Sequence, residues 1–562
     1  MAAYDLIQIL IFVLSLVILT PVLGSYMANV FEGKKTILSP LFSWLERSIY
    51  RLCGIDERQS MGWVDYTKAL LFFNVLGFVF LFVIQLLQSH LPLNPQKLPN
   101  VSWDTAFNTA VSFMTNTNWQ SYAGETTMSY LVQMIGLTVQ NFLSAATGIA
   151  VFLALTRGIV NRSVSGIGNF WVDTVRSLVY VFIPLSIVVS LILVSQGVVQ
   201  TFSPYKDIVT LQGEKQTLPL GPVASQISIK QLGTNGGGYF NANSAHPYEN
   251  PTPFTNFIEM LSILLIPAAL TYTYGVLIKN KRHGWLLFFV MLFIWVAGLG
   301  IALYSEYSSA KVPIVTALEG QETRFGVVNS IIWMTATTAA SNGSVNAMHS
   351  SLSPMAGGVA LFNMMLGEIV FGGVGAGLYG MIIFVLLTVF LAGLMVGRTP
   401  EYMGKKIEKD EIKMVILAIL LPSAFILIGG GISCALPIAL ASLANKGPHG
   451  LSEILYAFTS ASQNNGSAFA GLNANTVYYN VLLGFAMLVG RFGVIIPAMA
   501  IAGSLTQKKI TPPSAGTFAT DNTIFAVLLL GVIVIVGVLT FFPALSLGPL
   551  VEHLLMLKGR VF

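Results

Sequence analysis

Charge is scarce in this sequence. Asp, Glu, Lys and Arg make up only 9% of its 562 residues, whereas a soluble domain carries roughly a quarter. This scarcity excludes an ordinary soluble protein. A hydrophobic content of 54% and a mean hydropathy of +0.73 predict a polytopic membrane protein instead. The net charge of +5 does not indicate nucleic-acid binding, because membrane proteins concentrate Lys and Arg in cytoplasmic loops.

Cysteine is almost absent as well. The two cysteines, Cys53 and Cys434, give neither a metal-ligand spacing nor a disulfide framework. We expect Cys53 in a cytoplasmic loop and Cys434 in a hydrophobic span, which makes a bridge between them unfavourable. The first apolar run has no positively charged segment before it, so we expect a retained helix rather than a cleaved signal.

Nucleotide chemistry has no signature here. The sequence contains no Gly-x-x-x-x-Gly-Lys-Ser/Thr loop, no Asp-Lys-Thr-Gly motif and no soluble segment long enough for a nucleotide domain. The glycine-rich stretch 372–377 lies in a hydrophobic run without a following βαβ pattern, which argues against a dinucleotide loop. We expect no catalytic site and no bound nucleotide in this chain. If the protein pumps an ion, another chain must supply the energy.

Long hydrophobic runs dominate what is present. A run of about 20 apolar residues predicts a membrane-spanning helix, because lipid offers the backbone no hydrogen bonds. Ten such runs predict an all-α integral membrane protein, and they cover 5–31, 67–88, 129–156, 171–200, 255–279, 283–304, 358–397, 411–443, 475–505 and 521–545. The seventh run is about twice the length that one crossing needs. We expect the glycines at 372–377 to break it.

The basic residues predict the orientation. Seventeen Lys and Arg residues fall in or at the edges of the first, third, fifth, seventh and ninth loops between these runs, and nine, Lys230 among them, fall on the other face. Short cytoplasmic loops collect positive charge. We therefore expect both termini on the outside.

Four polar segments with an asparagine each interrupt the apolar pattern on the outer side. They are Thr115-Asn116-Thr117-Asn118, Thr234-Asn235-Gly236-Gly237, Ser341-Asn342-Gly343-Ser344 and Asn464-Asn465-Gly466-Ser467. A short helical stretch precedes each one, at 104–114, 222–232, 325–338 and 452–460. The recurrence predicts four pseudo-symmetric membrane–pore–membrane repeats. We place them at 61–160, 161–280, 281–405 and 406–510, with pore loops 115–118, 234–238, 341–344 and 464–467, between a first helix and loop (1–60) and a closing helix and tail (511–562).

The composition of these segments favours a cation site. Gly and Asn tolerate the backbone angles that bring carbonyl oxygens close together. Oxygen ligands without a carboxylate suit a weakly hydrated monovalent ion better than Mg²⁺ or Ca²⁺. Such loops could build a ring of carbonyls around a dehydrated cation; the alternative is a set of four exposed turns. Gln120 is a candidate to orient filter carbonyls or bind the ion at the entrance, or it makes an exposed hydrogen bond.

Two sequence features that we place on the cytoplasmic side of the polar segments bear on how a cation would leave them. The cluster of Gly372, Gly373, Gly375 and Gly377 is either a flexible gate or a site of close helix packing. Arg491 lies inside the ninth run, where a charge is costly. Its fixed charge could block straight cytoplasmic exit of cations; the alternative is that it snorkels or pairs with Glu368, and the two roles do not exclude each other.

A charged cytoplasmic segment follows the broken run. Arg398, Lys405 and Lys406 belong to it, interspersed with acidic residues. A solvated loop is one interpretation of this segment, and docking of a partner domain is the other.

Several longer motifs resemble the KdpA family, the potassium-binding subunits of bacterial Kdp potassium-importing ATPases. The resemblance rests on 115–122, 234–252, 340–346, 397–406 and 463–475 and extends over essentially the whole chain. It implies the fold of the superfamily of potassium transporters, a central K⁺ filter, and a gate beneath it that diverts ions sideways. It also implies a bacterial inner-membrane complex with the P-type ATPase subunit KdpB, the single-span subunit KdpC and the small peptide KdpF.

Two alternatives stay open at this point. A free-standing K⁺ channel or ion-coupled symporter could use the same four repeats, and an ATPase chain that copurifies would argue against it. A secondary transporter of an organic solute would show inverted repeats and a site at the membrane midplane, which these loops of equal orientation do not indicate.

Overall fold

The computed structural model describes residues 3–161, 166–309, 319–395, 397, 399–512 and 518–560. In that part of the chain ten helices are long and apolar enough to cross a membrane, which confirms the predicted number. We call them the first to tenth spans: Ala3–Phe31, Trp63–Leu86, Val132–Val160, Phe170–Ser195, Pro253–Leu277, Lys281–Ser309, Ala376–Met395, Lys409–Ala435, Val477–Gln507 and Thr523–Met556.

The seventh hydrophobic run is broken, as predicted. It forms the helices Pro354–Met365 and Ala376–Met395, joined by the non-helical residues 366–375, which we call the break. Two non-glycine residues of the break, Glu368 (φ +50°) and Phe371 (φ +46°), adopt left-handed backbone conformations. Such conformations are costly for L-residues, so the surrounding structure must hold the break in place.

Four short helices lie between paired spans. These pore helices are Trp103–Met114, Val223–Leu232, Gly326–Ala339 and Gly447–Ser462. The fourth begins before the predicted residue 452, because Pro448 fits the first turn of a helix, where no N–H partner is lost. A pore helix with the spans on either side of it forms one repeat.

Smaller elements connect the spans. A helix at Ser39–Cys53 follows the first span, and short helical turns occupy Gln88–His90, Gly124–Thr127, Asn243–Ala245, His349–Ser351 and Pro437–Leu440. One antiparallel hairpin pairs Lys206–Val209 with Lys215–Leu218, and another pairs Glu401–Tyr402 with Lys405–Lys406. The repeat boundary that we placed between 405 and 406 therefore divides a strand.

Burial separates inner from outer spans. The third and fifth spans are mostly buried inside the protein, whereas the first and tenth expose most of their apolar surface. A helix that is apolar on all sides is stable only against lipid or in a core. The third and fifth spans therefore belong to the interior of the protein, and the first and tenth lie at its periphery.

Candidate functional site

The four polar segments follow the C-terminal ends of the four pore helices with the same hydrogen-bond pattern. In each, one backbone N–H donates to the carbonyl five residues earlier: Thr117 to Ser112 (2.9 Å), Asn235 to Lys230 (2.9 Å), Asn342 to Thr337 (3.2 Å) and Asn465 to Ser460 (2.8 Å). Every non-glycine residue of the segments is buried. Burial of this extent excludes four exposed turns.

This pattern corrects the register of the first segment. Thr117 corresponds to Asn235, so the match to the other segments begins at Asn116, one residue later than the sequence suggested. The backbone agrees: φ is positive at the first and third matched positions of all four loops, at Asn116, Asn118, Thr234, Gly236, Ser341, Gly343, Asn464 and Gly466. We call 116–119, 234–237, 341–344 and 464–467 filter loops one to four.

The filter loops form a closed ring in chain order. A Cβ added to Gly236 would collide with the carbonyl oxygen of Asn342 in loop three, and one added to Gly343 with that of Asn465 in loop four. A Cβ on Gly466 would likewise collide with the carbonyl oxygen of Thr117 in loop one. Glycine is therefore required at these three positions, both by its positive φ and by the close approach of the next loop.

The hydrogen bonds also fix the direction of the carbonyls. A trans peptide holds its C=O opposite to its N–H. Since the N–H groups of Thr117 and Asn118 both donate to the carbonyl of Ser112, the carbonyls of Asn116 and Thr117 point away from their pore helix. Loop two repeats this arrangement with Asn235, Gly236 and Lys230. The negative ends of the pore-helix dipoles point toward the same loops, which favours a cation there.

Asparagine side chains connect neighbouring repeats. The Nδ2 of Asn342 donates to the carbonyl of Lys230 (3.2 Å), and that of Asn465 donates to the carbonyl of Thr337 (2.9 Å). Each amide thus donates to a pore-helix carbonyl that also accepts a backbone N–H of the preceding filter loop. Asn116 donates to the carbonyl of Thr234 (2.9 Å). The amides therefore hold the ring together.

Gln120 is a bridge between loops one and two. Its Nε2 donates to the carbonyl of Gly238 (2.9 Å), and its Oε1 accepts the N–H of the same residue (2.9 Å). Both ends of the amide are thereby engaged with backbone. This geometry suits a residue that orients the loops rather than one that offers a free ligand.

The break lies directly against the filter loops. The N–H of Val374 donates to the Oγ1 of Thr234 in loop two (2.9 Å), and Oε1 of Glu368 accepts from Asn465 in loop four (2.7 Å). A Cβ on Gly373 would stand 3.3 Å from the Cβ of Ser341 in loop three. Gly372 and Gly377 pack so closely together that neither has room for a Cβ. The glycines therefore serve close packing, one of the two interpretations that the sequence left open.

Arg491 is buried beside this break. Its Nη2 donates to the carbonyl of Ser144 in the third span (3.0 Å) and lies 3.5 Å from the Cβ position of Gly148. Among the described residues no ion pair joins Arg491 to Glu368. The two groups are therefore not in direct contact, although the charge of Arg491 acts on Glu368 from a distance.

Comparison with known proteins decides the family. The profile described as the potassium-transporting ATPase A subunit, KdpA, matches residues 10–554. The chain belongs to the KdpA family. The resemblance that the sequence motifs indicated is confirmed.

Relatives of the KdpA family match over their full length. The potassium-transporting ATPase potassium-binding subunit of Leptospira interrogans (strain Fiocruz L1-130) is 56% identical over 561 residues, which cover 99% of both chains. The protein of the same name from Pseudomonas entomophila is 54% identical over 560 residues, again 99% of both. That from Herpetosiphon aurantiacus is 56% identical and covers 99% of this chain and 100% of its own.

A solved structure supports the architecture. The potassium transporter TrkH from Vibrio parahaemolyticus superposes with a TM-score of 0.54 at 14% identity, covering 88% of this chain and 97% of its own. At that identity the likeness shows the fold alone. The KdpA-family chain therefore shares its helical membrane architecture with TrkH.

The candidate docking residues differ in their exposure. Lys405 is fully buried, and its Nζ donates to the carbonyls of Gly158 (2.8 Å), Asn161 (2.5 Å) and Leu505 (2.7 Å). Burial, with the charge of Lys508 adding to it, lowers its pKa to about 8. Lys405 thus joins the ends of the third and ninth spans and is not available for docking. Lys406 is exposed, and Arg398 lies outside the described residues.

Sequence reasoning missed a buried polar cluster behind filter loop two. Lys230, which the charge count placed on the outer face, is fully buried and forms a 2.6 Å ion pair with Glu249. Its place at the end of the second predicted pore helix, four residues before Thr234, was the available signal. A charge inside a membrane-embedded segment is costly and marks a buried partner or a function.

Proposed function

We propose that this chain is the potassium-binding, ion-selecting subunit of an ATP-driven K⁺ importer. The observation that carries the proposal is the closed ring of four buried filter loops. In loops one and two, two carbonyls of each loop point away from the pore helix, and neighbouring loops approach one another closely. The chain that forms this ring belongs to the KdpA family. The family match favours this role over a free-standing channel or an organic-solute transporter.

Selection takes place as K⁺ exchanges its water for loop oxygens. The candidate ligands are carbonyls of Thr117, Asn235, Asn342, Asn465 and their neighbours, since these residues occupy the second position of every loop. Micromolar binding requires a binding free energy of about 8 kcal/mol. The pore helices and asparagine amides hold the ring in shape before the ion arrives, so little of this energy is spent on ordering the loops. Ring size and carbonyl field together discriminate against Na⁺.

Exit is sideways rather than straight. The break with Gly372, Gly373 and Gly375, the adjoining Gly377 and the positive charge of Arg491 stand below the filter in the direct route to the cytoplasm. A buried guanidinium repels a cation strongly where water is excluded. The ion therefore leaves through an intramembrane path into the ATPase subunit.

The partners follow from this division of labour. ATP hydrolysis belongs to KdpB, and KdpC and KdpF complete the complex. Arg398 and Lys406 are the candidates for docking a partner domain, and this chain binds no nucleotide. The complex lies in the bacterial inner membrane with both termini of this chain outside.

ATP-dependent K⁺ uptake by the reconstituted complex tests the proposal. Replacing Gly236 by Asp puts a Cβ where the carbonyl of Asn342 already lies and adds a negative charge to the ring, so K⁺ selectivity should be lost. Gln212→Asp, in the exposed hairpin, adds the same charge away from the filter and should leave uptake unchanged. Full K⁺-selective uptake by the Gly236→Asp complex would refute the assignment.

A further inference from the structure

One pore helix carries a lysine where the other three carry hydroxyl residues. The position five residues before the second residue of each filter loop is Ser112, Lys230, Thr337 or Ser460. At each, the backbone carbonyl accepts the N–H of the filter loop. The side chains, however, differ in length, charge and reach.

The three hydroxyls bind their own loops directly. Ser112 Oγ donates to the carbonyl of Trp119 (3.0 Å), and Thr337 Oγ1 donates to Oδ1 of Asn342 (3.2 Å). Ser460 Oγ accepts the N–H of Gly466 (2.9 Å). A neutral hydroxyl is therefore enough to hold a loop of this shape, and loop two does not need a charge merely to fold.

Lys230 reaches beyond its loop. Its Nζ donates to Oδ1 of Asn243 (2.6 Å), Oγ of Ser244 (3.0 Å) and Oε2 of Glu249 (2.6 Å), which uses all three donors of an ammonium group. Lys230 and Glu249 are both fully buried. A buried ion pair is costly to assemble, and the other three pore helices have a hydroxyl at this position, so the charge in the second repeat calls for a role beyond stability.

Asn243 carries the effect back to the filter. Its Nδ2 donates to the carbonyl of Gly236 (2.8 Å) while its Oδ1 accepts from Lys230. Asn243 has a positive φ of +53°, a conformation that costs energy and persists only where its surroundings impose it. The charged donor polarises the amide and strengthens the bond that the amide makes to Gly236.

Glu249 closes the same segment from its other end. Its Oε1 accepts the N–H of Phe240 (2.8 Å). The chain that leaves filter loop two is thus anchored to its own pore helix through one carboxylate and one ammonium group.

We propose that Lys230 is a positioning residue for potassium selection: through Asn243 it fixes the Gly236 carbonyl, and with it the width of the ring at loop two. The proposal rests on the function proposed above. Lys230 does not touch the ion. Loosening its link should weaken K⁺ binding and admit Na⁺ or Rb⁺ more readily, while leaving turnover intact.

The test is K⁺-stimulated ATP hydrolysis by the purified complex with Lys230→Met. We expect the KM for K⁺ to rise about tenfold, the size of effect expected from one lost buried hydrogen bond to a charged group, with kcat within about twofold. The discrimination between K⁺, Rb⁺ and Na⁺ should fall in the same preparation.

Lys405→Met is the matched control. Lys405 is also fully buried and also donates to three acceptors, but at the cytoplasmic ends of the third and ninth spans. Its replacement should lower yield or thermal stability and leave the KM for K⁺ unchanged. Equal shifts of KM in both variants would overturn the proposal, because they would reduce Lys230 to a general stabilising role.

A second variant keeps the test decisive if Lys230→Met fails to assemble because Glu249 is left as a lone buried charge. Lys230→Met with Glu249→Gln removes that charge and keeps an acceptor for Phe240. Assembly should recover and the KM should stay raised; recovery of both would overturn the proposal. Absence of K⁺ stimulation in the unmodified complex would instead overturn the proposed function itself.

Discussion

Gly343→Ala tests the ring geometry with the smallest possible change. Gly343 has a φ of +87°, a region in which an L-residue costs about 1–2 kcal/mol. The new Cβ would also collide with the carbonyl oxygen of Asn465 and lie 2.9 Å from the Cα of Gly466. Loop four must therefore move away from loop three, and the oxygen that we assign to the ion moves with it.

The magnitude follows from these two costs. We take about 2 kcal/mol of this strain to destabilise the ring when the ion is bound. At 1.4 kcal/mol per tenfold change in affinity, the KM for K⁺ then rises about 30-fold. The assay is K⁺-stimulated ATP hydrolysis by the purified complex over a range of K⁺ concentrations. Gly300→Ala is the control, since this glycine lies in the sixth span and its Cβ would meet nothing within 4 Å. A KM within about twofold of the unmodified complex would refute the reasoning on ring closure.

Three further predictions concern the exit, an outer ion pair and the topology. Arg491→Gln should allow ATP-independent leak of Rb⁺ from vesicles; tight vesicles with normal uptake would contradict its role as a barrier. Burial lowers the pKa of His449, but the hydrogen bond and charge of Glu552 outweigh it and raise the pKa. The pair therefore stabilises the protein below the unfolded pKa of about 6.5 and loses that effect as pH rises through the higher folded value. Thermal midpoints should show this pH dependence and His449→Gln should lack it; equal pH profiles would contradict the pairing. In a Cys434→Ser background, an impermeant maleimide should label the exposed Cys53 only from the cytoplasmic side, and labelling of intact cells would reverse the predicted orientation.

Hydrophobic runs and turn-forming residues were sufficient to predict most of the architecture. Length and apolarity give the ten spans, because lipid leaves a buried backbone few alternatives to the helix. The glycines at 372–377 indicated the break, and the recurrence of polar segments indicated the pore helices. These features are local, so a single sequence expresses them directly.

The register of the first filter loop was not readable in this way. Loops two to four place glycine at the third position, whereas loop one places Asn118 there with a φ of +52°. Asparagine tolerates the left-handed region better than most residues. The pair Thr115-Asn116 also has the same sequence as Thr234-Asn235, which suggested the wrong alignment. The hydrogen bonds to the pore helix and the backbone φ values of the loops reveal the shift.

The buried charges were the other failure. The sequence analysis counted Lys230 with the charges of the outer face and Lys405 with a cytoplasmic segment, because basic residues in membrane proteins usually lie in water. Their acceptors, Glu249 for one and carbonyls of the third and ninth spans for the other, are brought near only by the tertiary fold. Arg491 likewise donates a hydrogen bond to the carbonyl of Ser144 in the third span and not to Glu368.

Locating the ion tests the central claim most directly. Anomalous diffraction from the complex in Tl⁺ or Rb⁺ should give a peak inside the ring, near the carbonyls of Thr117, Asn235, Asn342 and Asn465, and Na⁺ should not displace it. A peak elsewhere in the chain, or an empty ring in a complex that still transports K⁺, would contradict the account.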